Sequence, residues 1–545
     1  MPILRSLSRA FARPSRTFLL FSALLLIEPV AMRAASVVVC TESDLRFALL
    51  EGGTITFRCS GTITVTNTIV ISTNTVLDGT GQNPSISGGN AVRIFTVNPG
   101  VSFTVKNLTL TAGANTGASG TNGSAGVNAS AGAIFNDGGT ISLINCQVSG
   151  NTATGGNGGD GVVLLGGDGG SGGDGGSASG GAIFNRGGPL LVTNCVFSGN
   201  STSGGTGGNG ADGNMAFNGR RGGDGGKGGD ASGGTIFNTG GGTVMAYDCT
   251  FSSNSVSGAA SGLSGAGTGL EPNGANGVPG SGLSGGICNE SGSVTILFST
   301  FNGNSATGGQ GGGALAGADT APGDDGTAGG NGSGGGIFNQ SGGLVITNST
   351  FYGNSAIGGN GGNGADGGTR GFGSRGGNGG AGGRGFGGGV GNAANGTVTA
   401  VNCTFSKNGA TGGTGGTGGA SGGETADPGQ TGAPGASDGG GMGNDGGPLT
   451  FTIKNTIVAY SISGGEGGGV ITDGGNNISF NGYGGDIALT APTSFTNRNP
   501  YLEPLANNGG PTLTAAIIDS SSVAINAGND AVCLPVDQRL SLIHI

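Results

Sequence analysis

Histidine, tryptophan and charged side chains are scarce in this chain of 545 residues. It holds one histidine, His544, no tryptophan, and only 9% charged and 5% aromatic residues. One histidine, at the penultimate position, excludes a Ser-His-Asp triad in the body of the chain. Segments 282–286 and 419–423 match the Gly-x-Ser-x-Gly elbow pattern, but 135 glycines make such matches expected by chance. Few large side chains argue against a compact globular core and predict a thin one.

Basic residues are fewer than acidic ones. The chain has 20 Lys and Arg against 30 Asp and Glu, which gives a net charge of −10. Proteins that bind nucleic acid need a basic surface that neutralises phosphates. We therefore expect no nucleic-acid partner, and anionic lipid surfaces are disfavoured for the same reason.

The N-terminus has the pattern of an export signal. Four arginines between residues 5 and 16 precede the apolar run 18–27, and small residues follow up to residue 35. The run is too short to span a bilayer, so we predict a removable signal peptide at 1–35, with a membrane anchor as the alternative. Its removal leaves 15 basic and 29 acidic residues, a net charge of −14. No later segment resembles a transmembrane helix, and we expect none in the mature chain.

The glycines belong to a repeat. Seven copies of one unit read Gly-Gly-x-Ile-Phe-Asn, then an apolar run, then Phe-Ser-Gly-Asn, with variations. Self-similarity at a period of 49 to 53 residues is typical of a solenoid or a propeller, in which each unit packs on its neighbours. The first phrase of each copy closes at Asn136, Asn185, Asn238, Asn289, Asn339, Asn392 and Asn444.

Each copy predicts one coil of a parallel β-helix. In the second copy, 180–200, three short apolar runs are separated by glycine and asparagine, which tolerate the positive φ of tight turns. We predict that Ile183, Leu191 and Phe197 point inward and that the seven asparagines form an amide ladder. The fold class is an all-β, right-handed parallel β-helix (solenoid) with repeats over 113–470. A seven-bladed propeller is the alternative, but its four strands per blade and its signature motifs are missing.

The segment between the signal and the repeats, 36–112, predicts a cap and the first coils. Residues 41–50 form a helical pattern that Thr41 or Ser43 would cap. Alternating runs of Thr, Ile and Val from 54 to 112 predict strands. The short N-terminal capping helix would cover the open end of the stack, where bare strand edges would otherwise aggregate.

Glycine-rich loop insertions of roughly 25 residues, such as 155–177, separate the coils. They repeat Gly-Gly-x and hold few apolar residues to bury, so in isolation they are flexible loops. Packing against one another in an extended form with three residues per turn is the alternative, because glycine permits close backbone approach. In either case all insertions leave the coil at one corner and line one side of the solenoid.

The eight cysteines suit an exported chain but do not form a dense framework. The absence of Cys-x-x-Cys excludes zinc ribbons and thioredoxin-like redox sites. We predict one disulfide, Cys40–Cys59. Four other cysteines share a repeat column with Ser299, Ser349 and Asn455, where parallel inward side chains pack better than they bridge. We predict free buried thiols in this column, at Cys146, Cys195, Cys249 and Cys403.

Two resemblances cover most of residues 113–539. The phrases Gly-Ala-Ile-Phe-Asn at 132–136 and 181–185 and Phe-Ser-Gly-Asn at 197–200 resemble the repeats of chlamydial polymorphic outer-membrane proteins. The C-terminal segments 499–514, 524–528 and 537–539 resemble the choice-of-anchor Q domain of exported bacterial β-helix proteins. They imply a secreted or surface β-helix protein without a defined activity.

The chain departs from the second family at its end. We expect the choice-of-anchor Q-like module to span 471–539 and to be truncated. The segment 540–545 resembles translated sequencing-adapter read-through, so we predict a non-native tail there. A partner for Cys533 would lie in the missing part.

A polysaccharide lyase or hydrolase on the same fold is the alternative function. Such enzymes need carboxylates clustered at fixed separation, whereas here they are scattered through the insertions, as at Asp160, Asp168, Asp174 and Asp224. Asp324 and Asp325 are the one adjacent acidic pair. The calcium-binding nonapeptide pattern occurs once, at 155–162, and such sites need tandem copies.

We therefore expect no catalytic residues, no metal site and no cofactor. The favoured function is that of a secreted or cell-surface structural or adhesive protein, associated with the outer membrane, that displays its glycine-rich loops. The partner is expected to be a surface or extracellular ligand that the sequence does not identify.

Overall fold

The fold is a right-handed parallel β-helix in which nearly every strand pairs in parallel with the equivalent strand of the next coil. The computed structural model describes residues 34–163, 167–214, 219–268, 271–316, 321–369, 373–482 and 484–541. The predicted signal peptide lies outside the described residues except for Ala34 and Ala35, which begin the strand Ala34–Val37. His544 and most of the predicted non-native tail also lie outside them.

One coil is built from strands of four sheets, which we name A to D. The first full repeat runs through Ala129–Ser130 of sheet D, Ile134–Asp137 and Thr140–Ile144 of sheet A, Gln147–Ser149 of sheet B and Thr152–Thr154 of sheet C. The chain then leaves the solenoid as a glycine-rich insertion and re-enters at sheet D of the next coil. The stack therefore has one corner from which every insertion emerges.

Sheet A carries most of the strand pairing. Its register matches the repeat, since Ile134 pairs with Ile183 and Asn136 with Asn185. Its strands are Ala34–Val37, Gly53–Phe57, Ile69–Ile71, Thr75–Asp78, Phe95–Val97, Ser102–Lys106, Ile134–Asp137, Thr140–Ile144, Ile183–Arg186, Pro189–Thr193, Ile236–Thr239, Gly242–Tyr247, Ile287–Asn289, Gly292–Leu297, Ile337–Thr347, Val390–Val401, Met442–Asn444, Phe451–Lys454, Gly467–Gly469 and Thr472–Asp473.

Sheet B forms the second wall. Its strands are three residues long apart from the last, and the middle residue of most of them points into the core. They are Thr62–Thr64, Ser85–Ser87, Thr109–Thr111, Gln147–Ser149, Val196–Ser198, Thr250–Ser252, Thr300–Asn302, Thr350–Tyr352, Thr404–Ser406, Ile457–Ala459, Ile478–Phe480 and Phe495–Thr496.

Sheets C and D flank the glycine-rich insertions. Sheet C precedes each insertion and sheet D follows it. Sheet C consists of Ala114–Thr116, Thr152–Thr154, Ser201–Ser203, Ser255–Ser257, Ser305–Thr307, Ser355–Ile357 and Gly409–Thr411; sheet D consists of Ala129–Ser130, Ala178–Ser179, Ala231–Ser232, Gly282–Leu283, Gly332–Ser333, Gly385–Phe386 and Ser437–Asp438.

The core is built from inward side chains at alternate strand positions, stacked from coil to coil. Ile183 and Phe197 are fully buried, as the sequence predicts, but Leu191 is 39% exposed. The prediction for Leu191 is wrong because Leu190 and Val192, not Leu191, align with the inward residues Ile141 and Leu143 of the preceding coil. Alternation along the strand then turns Leu191 outward.

Stacked phenylalanines form the thickest part of the core. The rings of Phe197, Phe251, Phe301, Phe351 and Phe405 lie nearly parallel, with adjacent centroids 4.5 to 4.8 Å apart. This separation equals the spacing of neighbouring strands, about 4.8 Å. The rings therefore fill the solenoid from coil to coil without a large residue on every strand.

The N-terminal cap is the helix Glu42–Leu49. Thr41 is its N-cap, and its hydroxyl accepts a hydrogen bond from the Asp44 N–H at 3.3 Å. Leu45 and Ala48 are buried against the first strands. Among the described residues no helix has the length and apolarity needed to cross a membrane.

Candidate functional surface: a double layer of glycine-rich arms

The insertions are ordered arms that pack on one another. Each arm runs outward from sheet C, turns, and returns to sheet D, so the outward strands form one layer and the return strands a second. Packing, rather than isolated flexible loops, is what the structure shows. The arms are formed by the described residues of the segments 117–128, 155–177, 204–230, 258–281, 308–331, 358–384 and 412–436.

Hydrogen bonds within a layer recur every third residue. Gly155 N–H donates to the Ser203 carbonyl at 2.9 Å, and Gly158 N–H donates to the Thr206 carbonyl at 2.8 Å. Both acceptors lie in the next coil. This spacing matches an extended helix with three residues per turn, a form without internal hydrogen bonds whose backbone groups must bond elsewhere.

Hydrogen bonds between the layers use the next glycine of each triplet. Gly156 N–H donates to the Val127 carbonyl and Gly159 N–H to the Ser124 carbonyl, both at 2.9 Å. These acceptors belong to the return strand of the preceding arm. Two of every three backbone donors in this stretch are therefore satisfied by neighbouring arms.

The third residue of the triplet faces solvent, and its side chain completes the pattern. Asn157 Oδ1 accepts from the Thr206 N–H at 3.0 Å, and Asp160 Oδ1 accepts from the Asn209 N–H at 2.7 Å. Asp168, Asp174 and Asp224 accept from the next arm in the same way. In the triplet 207–209 of the third arm, all three backbone N–H groups are satisfied in this way.

Glycine is required where the two layers touch. A Cβ atom on Gly158 of an outward strand would lie 1.9 Å from the Gly173 carbonyl oxygen of the return strand, and one on Gly155 would lie 1.8 Å from the Gly176 carbonyl oxygen. No real Cβ contact is that short, so any larger residue would push the layers apart. The abundance of glycine is therefore a packing requirement and not a sign of disorder.

Proline ends the return layer. In the sixth arm Gly376 and Gly382 donate to carbonyls of the seventh arm. The equivalent positions of the seventh arm, which has no arm beyond it, hold Pro428 and Pro434. Because proline has no N–H, it leaves no unpaired donor at this edge.

The layer is interrupted between the fourth and fifth arms. Ser261 and Ser264 stand where other arms have glycine, and their buried hydroxyls have no partner among the described residues. Asn276 bridges the gap instead, with Oδ1 accepting from the Ser264 N–H at 2.8 Å and Nδ2 donating to the Gly313 carbonyl at 2.9 Å. Side chains therefore replace direct backbone contact at this step.

The seven repeat asparagines lie in one buried column inside sheet A. Each amide from Asn136 to Asn392 donates to the Oδ1 atom of the next at 2.7 to 2.9 Å. Most also donate to a glycine carbonyl of their own turn, as Asn185 does to Gly188 at 2.8 Å. The column fixes the turn within sheet A in every coil and has no access to a ligand.

The structure contains a second asparagine ladder that was not predicted from the sequence. Its members close the Phe-Ser-Gly-Asn phrase, are fully buried, and bond from coil to coil at 2.8 to 3.0 Å. The signal was present, because this asparagine recurs with the same period as the first. The residues are Asn151, Asn200, Asn254, Asn304, Asn354 and Asn408.

The cysteines are placed in two environments. Cys40 and Cys59 form a disulfide with a Cα–Cα distance of 5.7 Å. Cys146, Cys195 and Cys249 are buried and unbridged.

The cysteine column continues through Cys403 to Thr456, not to Asn455. Thr456 Oγ1 accepts from the Cys403 N–H at 3.4 Å, whereas the Asn455 amide donates to Asn402. The prediction for Asn455 is wrong by one residue, because Asn455 occupies a turn with φ of +49°.

Charged pairs on the solenoid are few. Arg186 binds Asp137 of the preceding coil at 2.5 Å, beside a small groove of about 280 Å³ that Phe135 and Phe184 line. Arg384 binds Asp438 and Asp445. In the described part of the chain no three His, Cys, Asp or Glu side chains converge as metal ligands.

The remaining candidates from the sequence have structural partners. Ser284 is fully buried, and its hydroxyl donates to the Gly336 carbonyl. Asp324 accepts from Asn273 and Asp325 from the Asn378 N–H. Burial raises the pKa of Asp324.

The C-terminal segment folds back along the solenoid as a strap, residues 498–541. Gln538 is buried, and its Nε2 donates to the Ser299 carbonyl at 3.2 Å and to Thr300 Oγ1 at 2.9 Å. Its Oε1 accepts from Thr350 Oγ1 at 2.7 Å. The segments that carry the choice-of-anchor Q resemblance include this residue and Thr512, which donates to the Phe298 carbonyl.

Comparisons with known proteins name no family. No protein-family profile and no curated protein matches the chain. Among solved structures, Jun a 1, the major allergen from cedar pollen, is 12% identical with a TM-score of 0.23, covering 69% of this chain and 68% of its own. The catalytic unit of a thermostable GH87 α-1,3-glucanase from Streptomyces thermodiastaticus strain HF3-3 is 14% identical with a TM-score of 0.18, covering 83% and 69%. At these scores the fold assignment rests on the strand pairing of this chain.

Proposed function

We propose that the chain is a secreted or cell-surface structural and adhesive protein that presents the double layer of arms. The observation that carries the proposal is the regular hydrogen bonding that joins the Gly-Gly-Asx triplets of neighbouring arms. Ordering glycine is entropically expensive, and this chain does so in seven successive insertions. The result is a flat array of side chains about 9 Å apart along an arm and about 4.8 Å apart across arms.

The proposed location rests on separate features. The N-terminal signal pattern and the Cys40–Cys59 disulfide suit an oxidising compartment. The repeats resemble those of polymorphic outer-membrane proteins, and the strap carries the resemblance to choice-of-anchor Q domains. The anchor and the partner are not assigned.

The first arm supplies the variant for an adhesion test. It joins sheets C and D with 12 residues, 117–128, whereas the other arms have 23 to 27 residues. Replacing arms two to seven with copies of 117–128 should keep the solenoid and remove the array. Beads coated with each protein would then be tested for retention under flow on mucin, on fibronectin and on bare glass.

The proposal expects the full-length arms to retain more beads on at least one surface. Equal retention of the short-arm variant on all three, with its β-helix intact by circular dichroism, would contradict it. Localisation is tested separately by expressing the complete chain in a bacterial host and measuring protease sensitivity of intact cells.

A polysaccharide lyase or hydrolase is the second candidate. The ion pair of Asp137 and Arg186 beside the aromatic groove is the observation that favours it, since it places a carboxylate and a guanidinium next to an open surface. Incubation with pectin, alginate and an α-1,3-glucan, with and without calcium, would reveal unsaturated products or new reducing ends. Activity that disappears in Asp137→Asn would establish the enzyme and displace the structural proposal.

A further inference from the structure

A second candidate site lies under the strap, away from the arms. The strap and sheet B enclose a cleft of about 510 Å³. This volume lies within the range of small-molecule sites, about 300 to 1,000 Å³. The solenoid contributes Asn348, Thr350, Asn402, Thr404, Asn455 and Ile457 to its lining, among others.

Beside the cleft, a column of turn asparagines acquires carbonyl partners from the strap. Where the column is uncovered, Asn194 Nδ2 donates to Asn145 Oδ1, and the amides bond one another. Under the strap, Asn348 Nδ2 donates to the Val536 carbonyl at 2.7 Å. Asn455 Nδ2 keeps its bond to Asn402 Oδ1 and also donates to the Asn529 carbonyl at 3.1 Å. The amides thus hold the strap at its edge and leave space between these contacts.

The charged residues of the lining favour a neutral ligand over an ionic one. Its charged residues are Asp537 and Arg539, which bind each other at 2.5 Å. Asp537 also accepts from the Arg539 and Ser541 N–H groups. An anion or a cation entering the cleft would compete with a pair that is already satisfied, whereas a neutral ligand would not.

The polar atoms of the cleft lining fit a ligand that bears hydroxyl groups. Asn348 is 3% exposed, and its Oδ1 has no hydrogen-bond partner among the described residues, so it offers a buried acceptor to a donor. Thr404 lines the cleft with a hydroxyl for which the structure shows no protein partner. Ile457 and Ile517 supply apolar contact on opposite walls. A molecule with hydroxyl groups on one side and C–H groups on the other matches this lining.

We propose that the cleft binds a neutral saccharide of one or two rings. The solenoid supplies amide and hydroxyl partners, and the strap supplies the apolar wall. The cleft shares no residue with the arms. A failure of the saccharide site would therefore not contradict the adhesive role of the arms, and the converse also holds.

Cys533 provides the readout, because it lines the cleft and is half-buried, whereas the other described cysteines are buried or bridged. The rate of maleimide labelling of the complete chain would be measured against increasing cellobiose, maltose and lactose, and against digalacturonate as a charged comparison. The expected result is saturable protection by at least one neutral disaccharide and none by digalacturonate.

Matched variants locate the protection. Thr404→Val removes a cleft hydroxyl without changing side-chain shape and is expected to weaken the protecting disaccharide about three- to tenfold, the effect of one hydrogen bond. Thr250→Val makes the same change at the same position of an uncovered coil and should have no effect. The rate at which maleimide labels Cys533 without sugar, compared with that of the unsubstituted chain, shows whether the strap still packs on the solenoid in each variant.

Three results would overturn the proposal. They are protection by none of the neutral disaccharides, protection by digalacturonate alone, and protection that Thr404→Val leaves unchanged. Protection by an extended glycine-rich peptide but by no sugar would assign the cleft to a polypeptide and also contradict it.

Discussion

Asp160 Oδ1 accepts a hydrogen bond of 2.7 Å from the backbone N–H of Asn209, which lies 49 residues later on the next arm. This contact explains why an acidic residue follows so many glycine pairs. In the triplet 207–209, carbonyl groups of neighbouring arms accept from the two glycine N–H groups. The carboxylate of Asp160 accepts from the remaining N–H, that of Asn209. The scattered carboxylates therefore have a structural use that does not require a metal or a substrate.

Gly173→Ala should push neighbouring arms apart within the return layer. Its Cβ would lie 1.9 Å from the Ser124 carbonyl oxygen, and overpacking of this kind costs about 1–3 kcal/mol. Gly313→Ala is the matched control, because a Cβ there meets its nearest atom at 3.9 Å. Thermal unfolding and protease sensitivity of the arms should change for Gly173→Ala only. Equal effects of the two substitutions would mean that the return strands of neighbouring arms do not touch as described.

Asn339→Ala should destabilise the solenoid. Asn339 is fully buried, donates to Asn392 Oδ1 and accepts from the Asn289 amide, both at 2.8 Å. Unpaired buried groups cost about 1–3 kcal/mol each, so the free energy of unfolding should fall by about 2–4 kcal/mol. Gln340→Ala, at the exposed neighbouring position, should change it by less than about 0.5 kcal/mol. A denaturant titration that fails to separate these variants would remove the ladder from the account of stability.

The coils at the C-terminal end should weaken as the pH rises. Glu466 is fully buried, and burial raises its pKa to about 7, against the hydrogen bonds from Ser461. Asp486 nearby acts in the same direction as burial. Because the folded state holds the proton more tightly, the stabilisation is complete below pH about 4.5 and is lost as the pH passes 7, on the order of 3 kcal/mol in total.

Glu466→Gln tests this pH dependence. The substitution should flatten the stability profile between pH 5 and about 8, whereas Glu503→Gln at an exposed position should leave the profile as it is. Unfolding free energies measured across this range provide the comparison. A profile that stays steep in Glu466→Gln would assign the pH dependence to another group.

Gln538→Ala should release the strap. The substitution removes the contacts with Ser299, Thr300 and Thr350 and leaves their buried groups unpaired. We expect maleimide to label Cys533 faster and proteases to cut the strap sooner, while sheet A retains its protection from hydrogen exchange. Ser541→Ala, which removes an exposed hydroxyl, serves as the control. Unchanged labelling in Gln538→Ala would show that other contacts hold the strap.

The fold could be predicted from the sequence because its information is local and periodic. The 49- to 53-residue spacing from Asn136 to Asn444 aligns equivalent residues of successive coils, and parallel stacking follows from that alignment. The register within one strand was harder to predict. Leu190 and Leu191 are both apolar, and only the pairing of Leu190 with Ile141 decides which one faces inward.

The functional surface could be predicted only in part, because its contacts are distant in sequence. The Gly-Gly-x triplets allow a three-residue packing, but they do not state that Gly156 bonds to Val127 of another arm. The strap depends on contacts across more than 180 residues, such as Asn348 with Val536. No local pattern around either residue indicates the other.

Amide hydrogen exchange of the third arm tests the double layer most directly. Gly205 and Gly208 donate to Gly176 and Gly173 at 2.9 and 2.8 Å, so a packed layer should protect their amides as well as it protects the strand Thr250–Ser252. Loops without partners would exchange at the rate of an unfolded chain. Protection of both glycines in the intact protein, lost in Gly173→Ala, is the predicted result; unprotected exchange at both while the strand stays protected would contradict the ordered double layer.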